Sequence, residues 1–244
     1  MPSLTQEPSG GLTALKCAVA YNRYGAYCVP LASMHRPAAK MILHGEVYEP
    51  NTIEFMRAHC GTGDVVHAGT YFGDFLPALS PACQGTVWAF EPNLENYRCA
   101  QITLLLNGIR NVELRRSGLG ANFEERALLT ADADGLARGG SSTIVGDDVQ
   151  SAGQVERVPM VTVDQVVPQN RQVSIIQLDV EGHEQAALTG ALKTIERCRP
   201  VLVVELLAES TLLSSDWIAK NILSLGYQMT GTVHGNAVWL PDRK

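Results

Sequence analysis

Short apolar runs alternate with segments of helical periodicity along most of the chain. Apolar runs of strand length occupy residues 65–68, 86–90, 112–114, 175–178 and 201–206. Segments with apolar residues at helical spacing follow several of them, most clearly at 94–106 and 183–197. Fully apolar strands separated by helices are typical of a parallel sheet with crossover connections. The pattern therefore predicts an α/β fold with a mostly parallel sheet.

The end of the chain departs from this alternation. Residues 226–232 and 237–240 have strand character, and His234, Gly235 and Asn236 are turn residues between them. Two strands joined by so short a turn form an antiparallel pair. A nicotinamide-binding doubly wound fold would normally continue with further strand–helix units. We therefore expect a sheet whose last strand runs antiparallel.

The first sixty residues are predicted to form an extension of this core. Residues 12–27 predict a short amphipathic helix, and Asn51 or Thr52 is a suitable N-cap for a second helix. We expect an N-terminal helical cap over residues 1–60 and one core domain over residues 61–244.

Charge and hydropathy limit the partners. The chain has 19 basic and 25 acidic residues, a net charge of −6, and no basic run. Nucleic acid and anionic membrane surfaces are therefore poor candidates. The N-terminus lacks the pattern of a signal peptide, and no apolar stretch is long enough to span a membrane. A cytoplasmic protein is expected.

Candidate chemistry begins at the first apolar run, where VVHAGTYFGDF is followed by TVWAFEPN. Gly69 and Gly73 predict a strand-to-helix turn that an anionic group can approach closely. Glu91 stands about twenty residues further on, where a carboxylate can accept hydrogen bonds from both ribose hydroxyls. The unit predicts a nucleoside-binding site.

Six motifs in order extend this interpretation: VVHAGTYFG, AFEPN, GGSS, VPMVTVD, IIQLDVEGHE and RPVLVVEL. Their order resembles the FkbM-type S-adenosylmethionine-dependent methyltransferases over residues 46–240. The resemblance implies a Rossmann-like class I methyltransferase fold, with a mostly parallel seven-stranded sheet and an antiparallel last strand. The chain departs from the family at His67, Thr70 and Gln177, where aspartate, alanine and lysine are usual.

The S-adenosylmethionine site is expected at the end of the first strand. N–H groups of the turn and the start of the following helix would meet the methionine carboxylate. Pro92 and Asn93 would flank the adenine, with Ser117 a further adenine candidate. The roles of His67 and Asp74 remain open. A histidine at a strand end also suits a buried core, and an acid in the first turn also suits a helix start. The predicted cofactor contacts are His67, Gly69, Thr70, Tyr71, Phe72, Gly73, Asp74, Glu91, Pro92, Asn93, Ser117 and Asp179.

Catalysis is expected in the stretch LDVEGHE. Asp179 ends the fourth strand beside the first, near the cofactor's ammonium or methyl group. The sulfonium activates its own methyl group, so the protein must align an acceptor and remove a proton. Glu181 and His183 are candidate bases, although both also suit a helix start.

A divalent metal is left open at this stage. Asp179 and Glu205 end neighbouring strands, and two carboxylates with waters suit a hard cation. Leu206 follows Glu205, so the sequence offers no clear third ligand.

The family resemblance implies methyl transfer to an oxygen, on a small-molecule or glycan hydroxyl of a sugar or natural product. A nicotinamide-dependent oxidoreductase and a cofactor-binding module without catalysis are the alternatives. Acceptor specificity is expected in residues 1–60 and in the irregular segment 124–163, where Ser141 and Ser142 could order over the site. Homo-oligomer formation stays open.

Overall fold

The computed structural model describes residues 14–146, 153–207 and 210–242. Its strands are β1 (Cys17–Asn22), β2 (Gly25–Pro30), β3 (Asp64–Ala68), β4 (Val87–Phe90), β5 (Val112–Arg115), β6 (Gly118–Leu119), β7 (Glu124–Ala131), β8 (Thr143–Val145), β9 (Gln154–Val161), β10 (Val173–Leu178), β11 (Val201–Glu205), β12 (Tyr227–Val233) and β13 (Asn236–Pro241). Its helices are α1 (Pro37–Leu43), α2 (Pro50–His59), α3 (Leu76–Leu79), α4 (Leu94–Leu106), α5 (Val163–Val166), α6 (Glu184–Thr189), α7 (Leu192–Cys198) and α8 (Asp216–Asn221). Among the described helices, none is long and apolar enough to cross a membrane.

A mixed seven-stranded sheet forms the centre of the fold, in the order β12-β13-β11-β10-β3-β4-β5. The four pairs from β11 to β5 are parallel, whereas β13 is antiparallel to both β11 and β12. The five apolar runs and the closing strand pair therefore lie where the sequence predicts them. Parallel strands place their carboxyl ends at one edge, which is where open α/β sheets bind ligands.

Apolar side chains cover both faces of this sheet. On one face Val66 and Ile176 pack with residues of α6, α7 and α8, including Leu188. On the other face Val65 and Ile175 pack against α2 and α3. Because side chains alternate along a strand, each β-strand contributes to both layers. The last residues of the strands are then free to carry polar side chains at the sheet edge.

The N-terminal extension differs from the predicted helical cap. Residues 17–30 form the β1–β2 hairpin, with Asn22 paired to Gly25 across a two-residue turn, so the amphipathic helix expected over residues 12–27 is wrong within its described part. The hairpin packs on α4, where Thr103 Oγ1 accepts a hydrogen bond of 3.0 Å from the Cys28 N–H. Tertiary pairing has here overridden a weak helical period.

The helix predicted at Asn51 or Thr52 begins at Pro50, with Glu49 in the left-handed conformation as its N-cap. No side-chain hydrogen bond caps this start. Proline is favoured at the first helical position because its missing N–H has no intrahelical partner there. The predicted side-chain cap is therefore wrong, although the helix itself is present.

The segment 124–163, predicted to be irregular, contains three strands of a second sheet, which has the order β6-β9-β7-β8. Strands β7 and β9 have eight residues each and pair antiparallel at seven positions. Leu128, Val158 and Met160 form its buried cluster. The expected long loop is thus replaced by a small sheet that packs beside the carboxyl edge of the central one.

One predicted helix is also divided. The segment 183–197 contains α6 and α7, separated at Gly190 and Ala191. A Cβ atom on Gly190 would lie 2.0 Å from the carbonyl oxygen of Gly120, so the break permits close contact with the loop after β6. The Asp164 carboxylate accepts N–H bonds from Lys193 and Thr194 at 3.0 and 2.8 Å and caps α7.

Candidate active site

Two adjoining cavities lie at the carboxyl ends of β3, β10 and β11. The larger has a volume of about 330 Å³ and a lining of both polar and apolar residues, whereas the smaller is a narrow space of about 40 Å³. Gly69, Gly140, Asp179 and Glu181 line both. Those four residues therefore mark the junction at which a ligand could extend from one cavity into the other.

The junction depends on the close approach of two chain segments. Gly69 has a φ of +82°, and a Cβ atom there would lie 1.8 Å from the carbonyl oxygen of Asp179. Only glycine fits a left-handed position with no room for a side chain. Beyond β10 the chain turns through Glu181 and Gly182, whose φ values are 51° and 93°. The acidic residues after β10 are thereby presented to the cavities.

Most N–H groups of the turn after β3 already have partners within the protein. The N–H of Thr70 donates to Phe90 O at 3.1 Å, and the N–H of Gly73 donates to Thr70 O at 2.8 Å. The N–H of Tyr71 donates to the Glu91 carboxylate at 2.8 Å. The expected contact of the turn with a methionine carboxylate stays a prediction. Helix α3 begins only at Leu76 and has four residues, so it supplies no N-terminus at the turn.

Glu91 lies in the narrow cavity as a buried acceptor. Its carboxylate also accepts hydrogen bonds from the N–H of Asn93 at 2.9 Å and from Asn96 Nδ2 at 3.4 Å. Burial raises the pKa of Glu91 to about 8. A carboxylate has about four lone-pair sites, so capacity remains for hydroxyl donors of a ligand. Apolar side chains enclose the rest of this cavity, from Phe90, Leu119, Leu128, Ile144, Met160 and Val180.

A group of three carboxyls occupies the floor of the larger cavity. One ligand atom from each of Asp179, Glu181 and Glu205 lies within 4.8 Å of the others. Burial and then the Glu205 carboxyl raise the pKa of Asp179 well above its ordinary value, and the two groups are hydrogen-bonded to each other. Such a bond requires a shared proton. Glu181 is the third ligand that the sequence did not identify, so the donor set would also suit a hard cation.

Further acidity comes from the α2 side. Asp74 lines the larger cavity, where burial and then the charge of Glu49 raise its pKa to about 7. Glu49 is itself buried and accepts a hydrogen bond of 3.1 Å from Asn236 Nδ2. Asn236 therefore orients the carboxylate of Glu49, whose charge acts on Asp74.

Residues outside the central sheet complete the cavities, and the sequence did not identify most of them. Arg36, at the N-cap of α1, lines the larger cavity and donates a hydrogen bond to Ser141 Oγ. Asn96 Nδ2 donates to Gly139 O at 3.1 Å, and Asn93 Nδ2 to Ser142 Oγ at 3.2 Å. Residues 139–142 therefore form a strap beside the junction, which Gly140 lines.

The smaller cavity joins apolar side chains to a buried carboxylate, and the larger cavity has four acids in its lining. The sequence profile described as the Methyltransferase FkbM domain matches residues 67–229. The chain belongs to the FkbM methyltransferase family.

Two solved structures show the same fold as this FkbM chain. The methyltransferase FkbM from Methylobacillus flagellatus KT is 21% identical, with 73% of this chain and 43% of that chain covered and a TM-score of 0.52. The T. thermophilus 16S rRNA N2 G1207 methyltransferase RsmC, solved with AdoMet and guanosine, is 14% identical, with 98% of this chain and 53% of that chain covered and a TM-score of 0.52. The chain thus spans about half of each of these proteins or less. No curated protein matches it significantly.

Two of the three departures from the usual FkbM residues contact each other. His67 and Gln177 are paired in register across β3 and β10, and His67 Nδ1 donates to Gln177 Oε1 at 2.5 Å. Burial lowers the pKa of His67 to about 4, so the ring is neutral. Its Nε2 has no hydrogen-bond partner among the described residues. Where relatives carry an acid and a lysine, this chain has a neutral pair.

The remaining predicted site residues divide into two groups. Pro92 and His183 line the narrow cavity, so His183 lies with Glu91 and away from the larger cavity. Burial and then Arg126 lower the pKa of His183. The side chains that line neither cavity are those of Thr70, Phe72, Gly73, Asn93 and Ser117.

The predicted site residues that line neither cavity make contacts within the protein. Thr70 Oγ1 donates to His67 O at 3.3 Å, and Asn93 is the N-cap of α4. Phe72 packs against Tyr27 of the hairpin, and Gly73 lies close to Leu76. In this structure these residues support the local fold and do not line the cavities, so their contact with a ligand stays a prediction.

Ser117 is buried and lies outside the narrow cavity, while its neighbours Gly118 and Leu119 line it. The predicted contact of Ser117 with the adenine stays a prediction. After β5 the chain continues with Arg116, Ser117 and Gly118, so no apolar run marks this position.

Proposed function

We propose that the chain is an S-adenosylmethionine-dependent O-methyltransferase whose acceptor is a hydroxyl group of a sugar or natural product. The observation that supports this proposal is the junction at Gly69 and Asp179, where a narrow apolar cavity that contains Glu91 meets a larger cavity lined by four acids. Glu91 would hold the ribose, and the acidic cavity would hold the cationic amino-acid part. The cofactor supplies an activated methyl group.

The protein's own chemical task is then to orient the acceptor and accept a proton. Asp179 shares a hydrogen bond with Glu205, and burial makes its carboxylate a stronger base than an exposed aspartate. A base with a pKa near the working pH transfers protons most effectively. We assign proton acceptance to the Asp179–Glu205 pair: their hydrogen bond places the shared proton on Asp179, and the ionised Glu205 supplies the capacity to accept a second one.

Methyl transfer to a panel of sugar and polyketide-type hydroxyl compounds tests this proposal. We expect Asp179→Asn to lower kcat by at least about 100-fold, the usual contribution of a general base. The matched control is Glu196→Gln on the exposed face of α7, which should have native kcat. Cofactor binding without transfer to any acceptor would favour a non-catalytic module. Loss of activity with a chelator and recovery with Mg²⁺ would assign the three carboxyls to a metal instead.

The same assay separates acceptor classes. RNA is included because one structural neighbour is an rRNA methyltransferase. We expect no transfer to RNA, since the net charge is −6 and acids line the cavity. Methylation of a nucleobase nitrogen would contradict the assignment to oxygen.

A further inference from the structure

The methionine part of the proposed cofactor has a carboxylate for which the turn after β3 offers few free donors. The N–H groups of Thr70, Tyr71 and Gly73 already bond to protein oxygen atoms, as does that of Gly69, which donates to Phe90 O at 3.1 Å. A buried carboxylate needs several hydrogen-bond donors. Some of its partners are therefore expected from another part of the chain.

The charge pattern of the larger cavity points to Arg36. Four acids line this cavity: Asp74, Asp179, Glu181 and Glu205. Among the described lining residues, Arg36 is the one with a permanent positive charge. The cavity therefore combines one cation with several acids, which suits a ligand that carries both an ammonium and a carboxylate.

The guanidinium of Arg36 is held in place but not neutralised. Pro37 follows it as the first residue of α1, and Ser141 Oγ accepts one hydrogen bond from its Nη2. In the described parts of the chain Arg36 forms no ion pair. A guanidinium has five N–H donors in a fork that matches a carboxylate. Most of that donor capacity is therefore available to a ligand.

Neighbouring groups orient the same region. The hydroxyl groups of Tyr71 and Ser33 are 2.5 Å apart, and Tyr71 also lines the cavity. Gly140 lies between Arg36's partner Ser141 and the junction, and it lines both cavities. The strap thus links the arginine to the end of the cavity where the nucleoside site begins.

We propose that Arg36, positioned by Ser141, binds the α-carboxylate of the S-adenosylmethionine amino-acid group. This assignment rests on the proposed function and adds a binding residue from outside the core domain. It also implies that the N-terminal segment and the strap close the cofactor site together. The acids on the opposite wall would then face the ammonium.

Isothermal titration with three ligands tests the assignment: S-adenosylmethionine, S-adenosylhomocysteine and decarboxylated S-adenosylmethionine. Arg36→Met should weaken binding of the first two by about 10- to 100-fold, the range for a lost hydrogen bond to a charged group. It should change the affinity for the decarboxylated ligand by less than about threefold, because no carboxylate remains to be lost. Arg36→Lys should recover part of the affinity, and Ser141→Ala should show a smaller loss of the same selectivity.

Lys40→Met is the matched control, since Lys40 is an exposed cation one turn along α1. It should bind all three ligands as the native protein does. Equal weakening of all three ligands by Arg36→Met, or an effect confined to the acceptor KM, would overturn the assignment while leaving the proposed function standing. Absence of binding by the native protein would overturn both.

Discussion

Replacing His67 with aspartate puts a carboxylate where the native side chain is 2% exposed. The native ring donates from Nδ1 to Gln177 Oε1 at 2.5 Å, a bond that an ionised carboxylate cannot make. Asp179 and Glu205 line the same cavity, so the new charge would also face acids. A buried charge without a partner costs about 3–5 kcal/mol. We expect His67→Asp to lower the free energy of unfolding by about that amount.

A second change, Gln177→Lys, should reverse much of this loss. Gln177 is paired with His67 across β10 and β3, so a lysine ammonium would stand beside the new carboxylate. Contacting pairs usually couple by about 0.5–3 kcal/mol, and a buried opposite-charge pair belongs at the upper end. We therefore expect the double variant to be about 2–3 kcal/mol more stable than the sum of the two single-variant changes in unfolding free energy predicts.

Urea unfolding of the native protein, both single variants and the double variant at pH 7.5 measures this coupling. His67→Asn controls for loss of the ring without adding a charge. Agreement of the double variant with the sum of the singles to within about 0.5 kcal/mol would refute the reasoning. So would a His67→Asp cost no larger than that of His67→Asn.

Two further predictions concern the sheet edges. Gly69→Ala should lower the free energy of unfolding by more than about 3 kcal/mol, because its Cβ would lie 1.8 Å from Asp179 O. The control Gly108→Ala, at φ +62° with nothing within 4 Å of its Cβ, should cost only about 1 kcal/mol of backbone strain. Equal losses for the two variants in urea unfolding would contradict this reasoning. Burial opposes ionisation of Asp64, but hydrogen bonds from Arg171, Trp88 and the Thr86 N–H outweigh it and lower its pKa. The stabilising effect of the carboxylate should therefore be complete above the unfolded pKa of about 4 and be lost as pH falls through the lower folded value. The stability gap between the native protein and Asp64→Asn should shrink from pH 7 to pH 3, and a constant gap would count against the ion pair.

The parts of the fold that the sequence predicts well are those with strong local patterns. Four of the five parallel strands are mainly apolar runs, and α4 has an N-cap in Asn93 that accepts from the Glu95 and Asn96 N–H groups at 3.0 and 3.2 Å. The closing hairpin has turn residues at its centre. Each of these features depends on a few neighbouring residues, so the sequence alone is enough to locate it.

The elements that the sequence misses depend on distant partners. Strands β7 and β9 carry charged residues and Pro159, and they are paired although 22 residues, 132–153, separate them in the chain. The β1–β2 hairpin is stabilised by α4, where Asn107 Oδ1 accepts from the Ala26 N–H at 2.9 Å. The break at Gly190 follows from contact with Gly120, which no helical periodicity reveals.

The candidate site also contains residues that the sequence predicts and residues that it does not. Gly69, Glu91 and Asp179 follow motif positions and lie at the cavities as expected. Arg36 could not be selected from the sequence, because a lone arginine before a proline has no distinguishing pattern. The partners of the turn after β3 were also not predictable, since the N–H of Tyr71 is directed to Glu91 by tertiary geometry.

Calorimetric titration of the native protein with S-adenosylmethionine, S-adenosylhomocysteine and NAD tests the central claim most directly. The account predicts one site for the two sulfur ligands, no binding of NAD, and a loss of at least about 10-fold in affinity for Glu91→Ala, which removes the ribose acceptor. Binding of NAD in place of the sulfur ligands, or binding that Glu91→Ala leaves unchanged, would contradict it.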